Sequence, residues 1–279
     1  MLLGMLLSAS YWVDIADKQA LVCNIDHFPQ CIQQLPSSLQ QPIAASNIKK
    51  SMAFRDAMVV PVSDNTVSGV IFLRSVKTDP QLDAFVDGIK ITLNLKQQQQ
   101  LNLWHEQGHL HNEQIIHPLL KRRLTKIEHE AFADLYTLWQ SVHTTQSFHL
   151  AWQQYHRRNL NVINSQSDYS HWSVPLLHHV LTQYSPEQVI AFGSYREFAE
   201  NIIQEFQPLS KDEQREFQSL IRHLFHSHST FNQPHYLSWR RDKLSTYLTP
   251  TLAALLNQTQ AQSILKALAL PLNHSLNPS

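Results

Sequence analysis

Glycine is scarce in this chain, with five in 279 residues. So few leave little room for tight turns and favour a helix-rich fold. Cysteine is scarcer still: Cys23 and Cys31, in "CNIDHFPQC", are the only two. They limit the chain to one local disulfide, which an oxidising compartment would form, and two reduced thiols fit the same spacing. Neither sign of charge is in surplus, since Lys plus Arg and Asp plus Glu are both 22. That balance excludes binding driven by phosphate neutralisation, so no nucleic-acid partner is expected. No apolar run approaches the roughly 18 residues that a membrane helix needs, so no transmembrane helix is expected.

What is present is the composition of an ordinary globular protein, 43% hydrophobic and only 16% charged. Glutamine and histidine, the latter 17 times, take up much of the polar surface. The opening "MLLGMLLSAS" combines an apolar run with a small-residue end. It reads as the remainder of a signal peptide without its basic start, or as a buried N-terminal segment. With the cysteine pair it points to a periplasmic or secreted protein, with the cytoplasm as the alternative.

Three segments follow from the pattern along the chain. Residues 1–47 form an N-terminal segment ending in the Pro/Ser/Gln-rich connector "QQLPSSLQQPIAASN" (33–47). Residues 48–143 form the core that carries the chemistry. Strands are expected at Ala57–Val62, Val67–Val76 and Gly88–Leu95, the last alternating with Ile89, Ile91, Leu93 and Leu95 on one face. From Gln97 the period becomes helical, and "TKIEHEAFADLYTLWQSV" makes a second helix. Residues 144–279 read as a helical half, with candidates at Phe148–Arg158, Trp172–Tyr184, Pro186–Phe206 and Lys211–His226 and two weaker ones after Tyr236. "SP" at Ser185 and "SKDEQ" at Ser210 look like helix starts, the latter a capping box with Glu213. The fold class is therefore α+β, a small antiparallel sheet packed on a helix and followed by a large helical half.

The stretch "LWHEQGHLHNEQ" puts His105, Glu106 and His109 in the pattern H-E-x-x-H. On a helix, positions i and i+4 share a face, so both imidazoles reach one ion at about 2.0–2.1 Å. Glu106, one position on, lies beside that ion and is placed to take a proton from water. Chance would produce this motif in roughly one such composition in 25. A catalytic zinc site also needs a third protein ligand. Twenty residues beyond His109, "EHEAFADLY" offers Glu130 and Asp134 at i, i+4. Glu130 suits a carboxylate ligand, and Asp134 suits an acceptor for a ligand histidine's N–H. The combined pattern arises by chance about once in a thousand such compositions. Gly108, inside the first helix, costs roughly 0.5–1 kcal/mol relative to alanine. Close approach of the second helix or of a substrate would account for it.

"HEQGH" with "EAFAD" after it resembles the glutamate-zincin metallopeptidases, the thermolysin-like group, over about Gly88 to Trp139. The short loop between the helices brings it nearer to small bacterial proteins of this type with no assigned role. The resemblance implies one Zn2+ per chain held by His105, His109 and Glu130. It implies Glu106 as general base, Asp134 behind a ligand histidine, and a peptide or protein substrate extended along the strand Gly88–Leu95. Such enzymes also place a His or Tyr over the metal to meet the oxyanion. No motif assigns it here. Tyr169 and His171 in "SDYSHWSVPLLHH" are the leading candidates, and His223 and Tyr236 the weaker ones.

Other residues have plainer readings. His111 and His117 are expected at the surface, and Glu128 competes with Glu130 but lacks an aspartate four residues on. A zinc-dependent peptide hydrolase is the leading expectation. The alternatives are an inactive zincin-like scaffold that binds metal or a partner protein, and an amidase on cell-wall or small-molecule substrates.

Overall fold

A computed structural model describes residues 10–52, 55–75, 80–226 and 239–272. The opening run before Ser10, Val76 of the second expected strand, the end of "HLFHSHS" and Tyr236 lie outside the described residues. Strands β1 (Ser10–Ile15) and β2 (Lys18–Asn24) form a hairpin, followed by short helices α1 (Phe28–Ile32), α2 (Ser37–Ala45) and α3 (Ile48–Ser51). Next come β3 (Ala57–Pro61), β4 (Val67–Leu73) and a second hairpin, β5 (Gln81–Val86) and β6 (Ile89–Asn94). Helix α4 (Gln98–His111) widens into a π-helical turn, Asn112–Ile116, that runs into α5 (His117–Leu120). Helices α6 (Lys126–Thr145) and α7 (His149–Asn164) precede a 3-10 turn, Gln166–His171. The chain continues through α8 (Val174–Gln183), α9 (Pro186–Ala191), α10 (Tyr195–Glu205), α11 (Lys211–His226), α12 (Arg240–Leu255) and α13 (Gln258–Ala267).

The protein is α+β, but the sheet differs from the expected one. Its order is β1-β2-β4-β3, and the central pair β2/β4 is parallel while both outer pairs are antiparallel. Residues read as an N-terminal segment thus supply half of the sheet. The connector is also structured. Pro36 starts α2, and Leu35, Ile43 and Ile48 bury their side chains against one face of the sheet with Cys23 and Cys31, which are disulfide-bonded. Composition hid this because proline at a helix start costs no hydrogen bond. On the other face Ala20, Val22, Ile71 and Leu73 meet Leu103 and Leu110 of α4. Every residue of β4 is buried, as expected of a strand covered on both sides.

Gly88–Leu95 alternates as expected, with Ile91, Leu93 and Leu95 buried. Yet it pairs only with β5, through an Asp87–Gly88 turn with positive φ at both residues. This hairpin packs in the helical core, and Gln153 of α7 holds both the N–H and C=O of Lys96 at 2.9 Å. A period of two reports a buried face and not the sheet to which it belongs. The expected single helix Pro186–Phe206 is two, α9 and α10, each capped by a serine, Ser185 and Ser194, around Gly193. The Ser210–Glu213 capping box forms as expected.

Gly108 stands where α4 meets α6. A Cβ there would lie 2.6 Å from both Cα and O of Ala133, which are backbone atoms and have no side chain to rotate away. The missing methyl sets the distance between the two helices that carry the candidate site. Gly108→Ala is expected to cost about 1–3 kcal/mol of stability, or more, through overpacking. Chemical denaturation checks this, and unchanged stability would contradict the tight crossing.

Candidate metal centre

α4 and α6 place their polar groups on facing sides at this crossing. α6 begins where it does because Thr125 and Glu128 close a capping box, Thr125 N–H donating to Glu128 at 2.8 Å, with Arg122 paired to the same carboxylate. Glu128 is thereby committed to the helix start, and Glu130, half a turn on, faces α4. Its Oε2 lies 3.2 Å from His105 Nε2 and 3.8 Å from His109 Nε2. The ligands of a tetrahedral zinc stand about 3.4 Å apart at bond lengths near 2.1 Å, close to the first of these separations and somewhat below the second. Glu130 Oε2 is buried, and its near partners are these two imidazoles. A buried carboxylate is costly unless a cation satisfies it, and a protonated His105 or a bound ion can do so.

Asp134, one turn beyond Glu130, is fully buried. Its Oδ1 accepts from His105 Nδ1 at 2.8 Å, from Arg158 Nη2 at 2.8 Å and from Gln154 Nε2 at 2.9 Å. Its Oδ2 accepts from Arg158 Nε at 2.7 Å and from the Ser173 hydroxyl. Burial alone would raise its pKa, but Arg158 and His105 hold it well below the usual carboxylate range. With the proton on Nδ1, His105 turns its Nε2 towards Glu130.

The remaining titrations follow from the same geometry. Burial opposes charge on His105, but Asp134, with Glu130 adding to it, pushes its pKa up to about 9. His109 is pushed down to about 3 by burial and by the neighbouring His105, and so stays neutral. Glu130 is held at about 2, where His105, His109 and His171 outweigh burial. Glu106 is raised, by burial first, with the Glu130 charge adding to it and His105 opposing. The backbone of Val59 beside its carboxylate opposes the rise.

These side chains line a cleft of about 660 Å³ between α4, α6 and β3. His171 comes into it, its Nε2 3.6 Å from Glu130 Oε1. Tyr169 does not. It is buried, stacks on Trp172 and gives its hydroxyl to the Gln214 carbonyl at 2.7 Å, which removes it as an oxyanion group. His223 sits on α11 and does not line the cleft. His111, expected at the surface, is buried and stacked on Tyr136, with both ring nitrogens unpaired and its pKa down at about 4 through burial. The expected substrate strand does not border the cleft: no residue of β6 lines it, and the strand that lines it with Glu106 is β3, at the edge of the sheet.

Arg158, Ser173 and His129 belong to the site and were not legible in the sequence. Arg158 and Ser173 are 24 and 39 residues from Asp134 in the chain, with no spacing rule linking them. His129 had a local signal, its place directly before Glu130.

The chain matches no family model, no curated protein and no solved structure. The site therefore rests on its own geometry.

Proposed function

We propose that this protein is a zinc-dependent hydrolase of peptide bonds with a zincin-like active site. One observation carries the reading: two imidazole nitrogens from α4 converge on a buried carboxylate oxygen of α6, at 3.2 and 3.8 Å, with all three donor atoms within 4.8 Å of one another, close enough to share one ion. The residues fit the ion. His105, His109 and Glu130 would hold it, and bound there it would supply Lewis-acid polarisation of the scissile carbonyl.

The chain's own groups do the rest. Glu106, with its raised pKa, takes a proton from the attacking water and passes it to the leaving amine. His171, on the opposite side of Glu130, is placed to meet the developing oxyanion.

β3 is the strand along which an extended peptide would lie. Asp56 O and Val62 N bond to β4, so the alternate residues Ala57, Val59 and Pro61 turn their backbone groups to the free edge. Pro61 costs nothing there, because that position has no strand to donate to. A peptide adding to this edge would pass directly over Glu106. The disulfide between Cys23 and Cys31 supports a periplasmic or secreted location.

Cleavage of an unfolded protein substrate tests the reading. It is expected to stop on removal of metal by a chelator and to return with stoichiometric zinc. Turnover that a chelator leaves untouched would overturn it.

A further inference from the structure

A second cluster of ligand-type residues stands behind His109. The π-helical turn after α4 places Glu113 and His117 four residues apart on the side facing α6. Glu113 Oε2 lies 3.1 Å from His117 Nδ1, and Glu113 Oε1 lies 3.5 Å from His129 Nε2. The rings of His129 and His109 are nearly parallel with centroids 4.8 Å apart, and their Nδ1 atoms meet edge to edge at 2.8 Å, close enough to share a proton. Asn112, fully buried, donates to the His129 carbonyl at 2.7 Å and fixes the backbone there. By residue type Glu113, His117 and His129 resemble another metal site, with donor atoms within 4.8 Å of one another.

Counting protons excludes that use. A neutral imidazole has one N–H and one lone pair, so two Nδ1 atoms at hydrogen-bond distance share a single proton. For His109 to present its Nε2 lone pair beside His105 and Glu130, that proton must sit on its Nδ1. His129 Nδ1 then accepts, His129 Nε2 carries an N–H directed at Glu113, and His129 has no lone pair left for an ion. The far end of the chain of bonds agrees. Leu124 N–H donates to His117 Nε2 at 3.3 Å, which leaves the His117 proton on Nδ1, facing Glu113. Glu113 accepts from both sides. An ion on His129 Nε2 would force the shared proton onto His129, and His109 would lose its free Nε2.

Building on the zinc reading above, we propose that His129 and Glu113 are positioning residues that lock His109 in its ligating tautomer, and that the two clusters together hold one ion and not two. Residues behind a metal ligand commonly contribute about 10–100-fold in metal affinity.

The test is zinc affinity by chelator competition, with stoichiometry at saturating zinc, on the full chain. His129→Phe keeps an aromatic ring but offers no acceptor. Its zinc Kd is expected to rise about 10–100-fold, with the thermal midpoint of the metal-free protein not lowered. His129→Asn offers an amide oxygen to the His109 N–H and is expected to return most of the affinity. Glu113→Gln, with one acceptor oxygen in place of two, is expected to lie between His129→Phe and the wild type, and it carries the test should His129→Phe fold poorly. Wild-type affinity in both His129→Phe and Glu113→Gln would overturn the positioning role and leave the zinc reading standing. Two zinc ions of similar affinity in the wild type, one of them lost in His117→Ala, would overturn it in favour of a second metal site. A wild-type chain that binds no zinc would end both.

Discussion

Glu106→Gln is expected to keep one zinc per chain and to lose hydrolysis by a factor of about 10²–10⁴, the usual contribution of a positioned proton-transfer group. Glutamine has nearly the same shape and volume, so the fold and the ligand cage should persist. What it cannot do is take a proton from water. The raised pKa of Glu106 matters here, because burial that disfavours its charge also strengthens it as a base near neutral pH. Turnover measured beside zinc content separates this from a folding effect. Full activity in the variant would remove Glu106 from the chemistry.

Asp134→Ala is expected to damage two things at once. It strands the buried Arg158 guanidinium, which donates to Asp134 through both Nε and Nη2. Removing one partner of a buried ion pair costs about 3–5 kcal/mol, because the remaining charge stays desolvated. It also deprives His105 Nδ1 of its acceptor, with an expected loss of about 10–100-fold in zinc affinity. The double variant Asp134→Ala/Arg158→Met separates the two effects. An apolar pair of similar size often restores stability where an ion pair has been removed. The double variant should therefore recover most of the unfolding free energy of the metal-free protein, while its zinc affinity stays as low as that of Asp134→Ala. Recovery of both would mean that Asp134 acts only through packing.

The parts of the site legible in the sequence were those set by a single helix. His105 and His109 share a face because a helix turns every 3.6 residues. Glu130 and Asp134 share one for the same reason, and the crossing at Gly108 and Ala133 brings the pairs together. Gly108 was the local sign of that crossing. The α+β class was legible too, since the strand and helix periods change at Gln97. Illegible were the features fixed by long-range packing. β1 and β2 lie in the N-terminal segment, where no strand is expected from the pattern, yet β2 pairs with β4 some fifty residues on. The alternation of β6 was read correctly, but nothing in it says that β3 borders the cleft instead. Tyr169 and His171, two positions apart, have opposite fates, because the 3-10 turn directs one into the core and the other to Glu130. His129 takes its meaning from the proton shared with His109, which only the 2.8 Å approach of the two Nδ1 atoms shows.

Elemental analysis of the purified, untagged protein is the most direct measurement of the central claim, that α4 and α6 jointly hold one catalytic ion. The wild-type chain is expected to carry one zinc, and His105→Ala and Glu130→Ala next to none after the same purification. A wild-type chain free of zinc even after incubation with it, or a Glu130→Ala chain that keeps its zinc, would contradict the account.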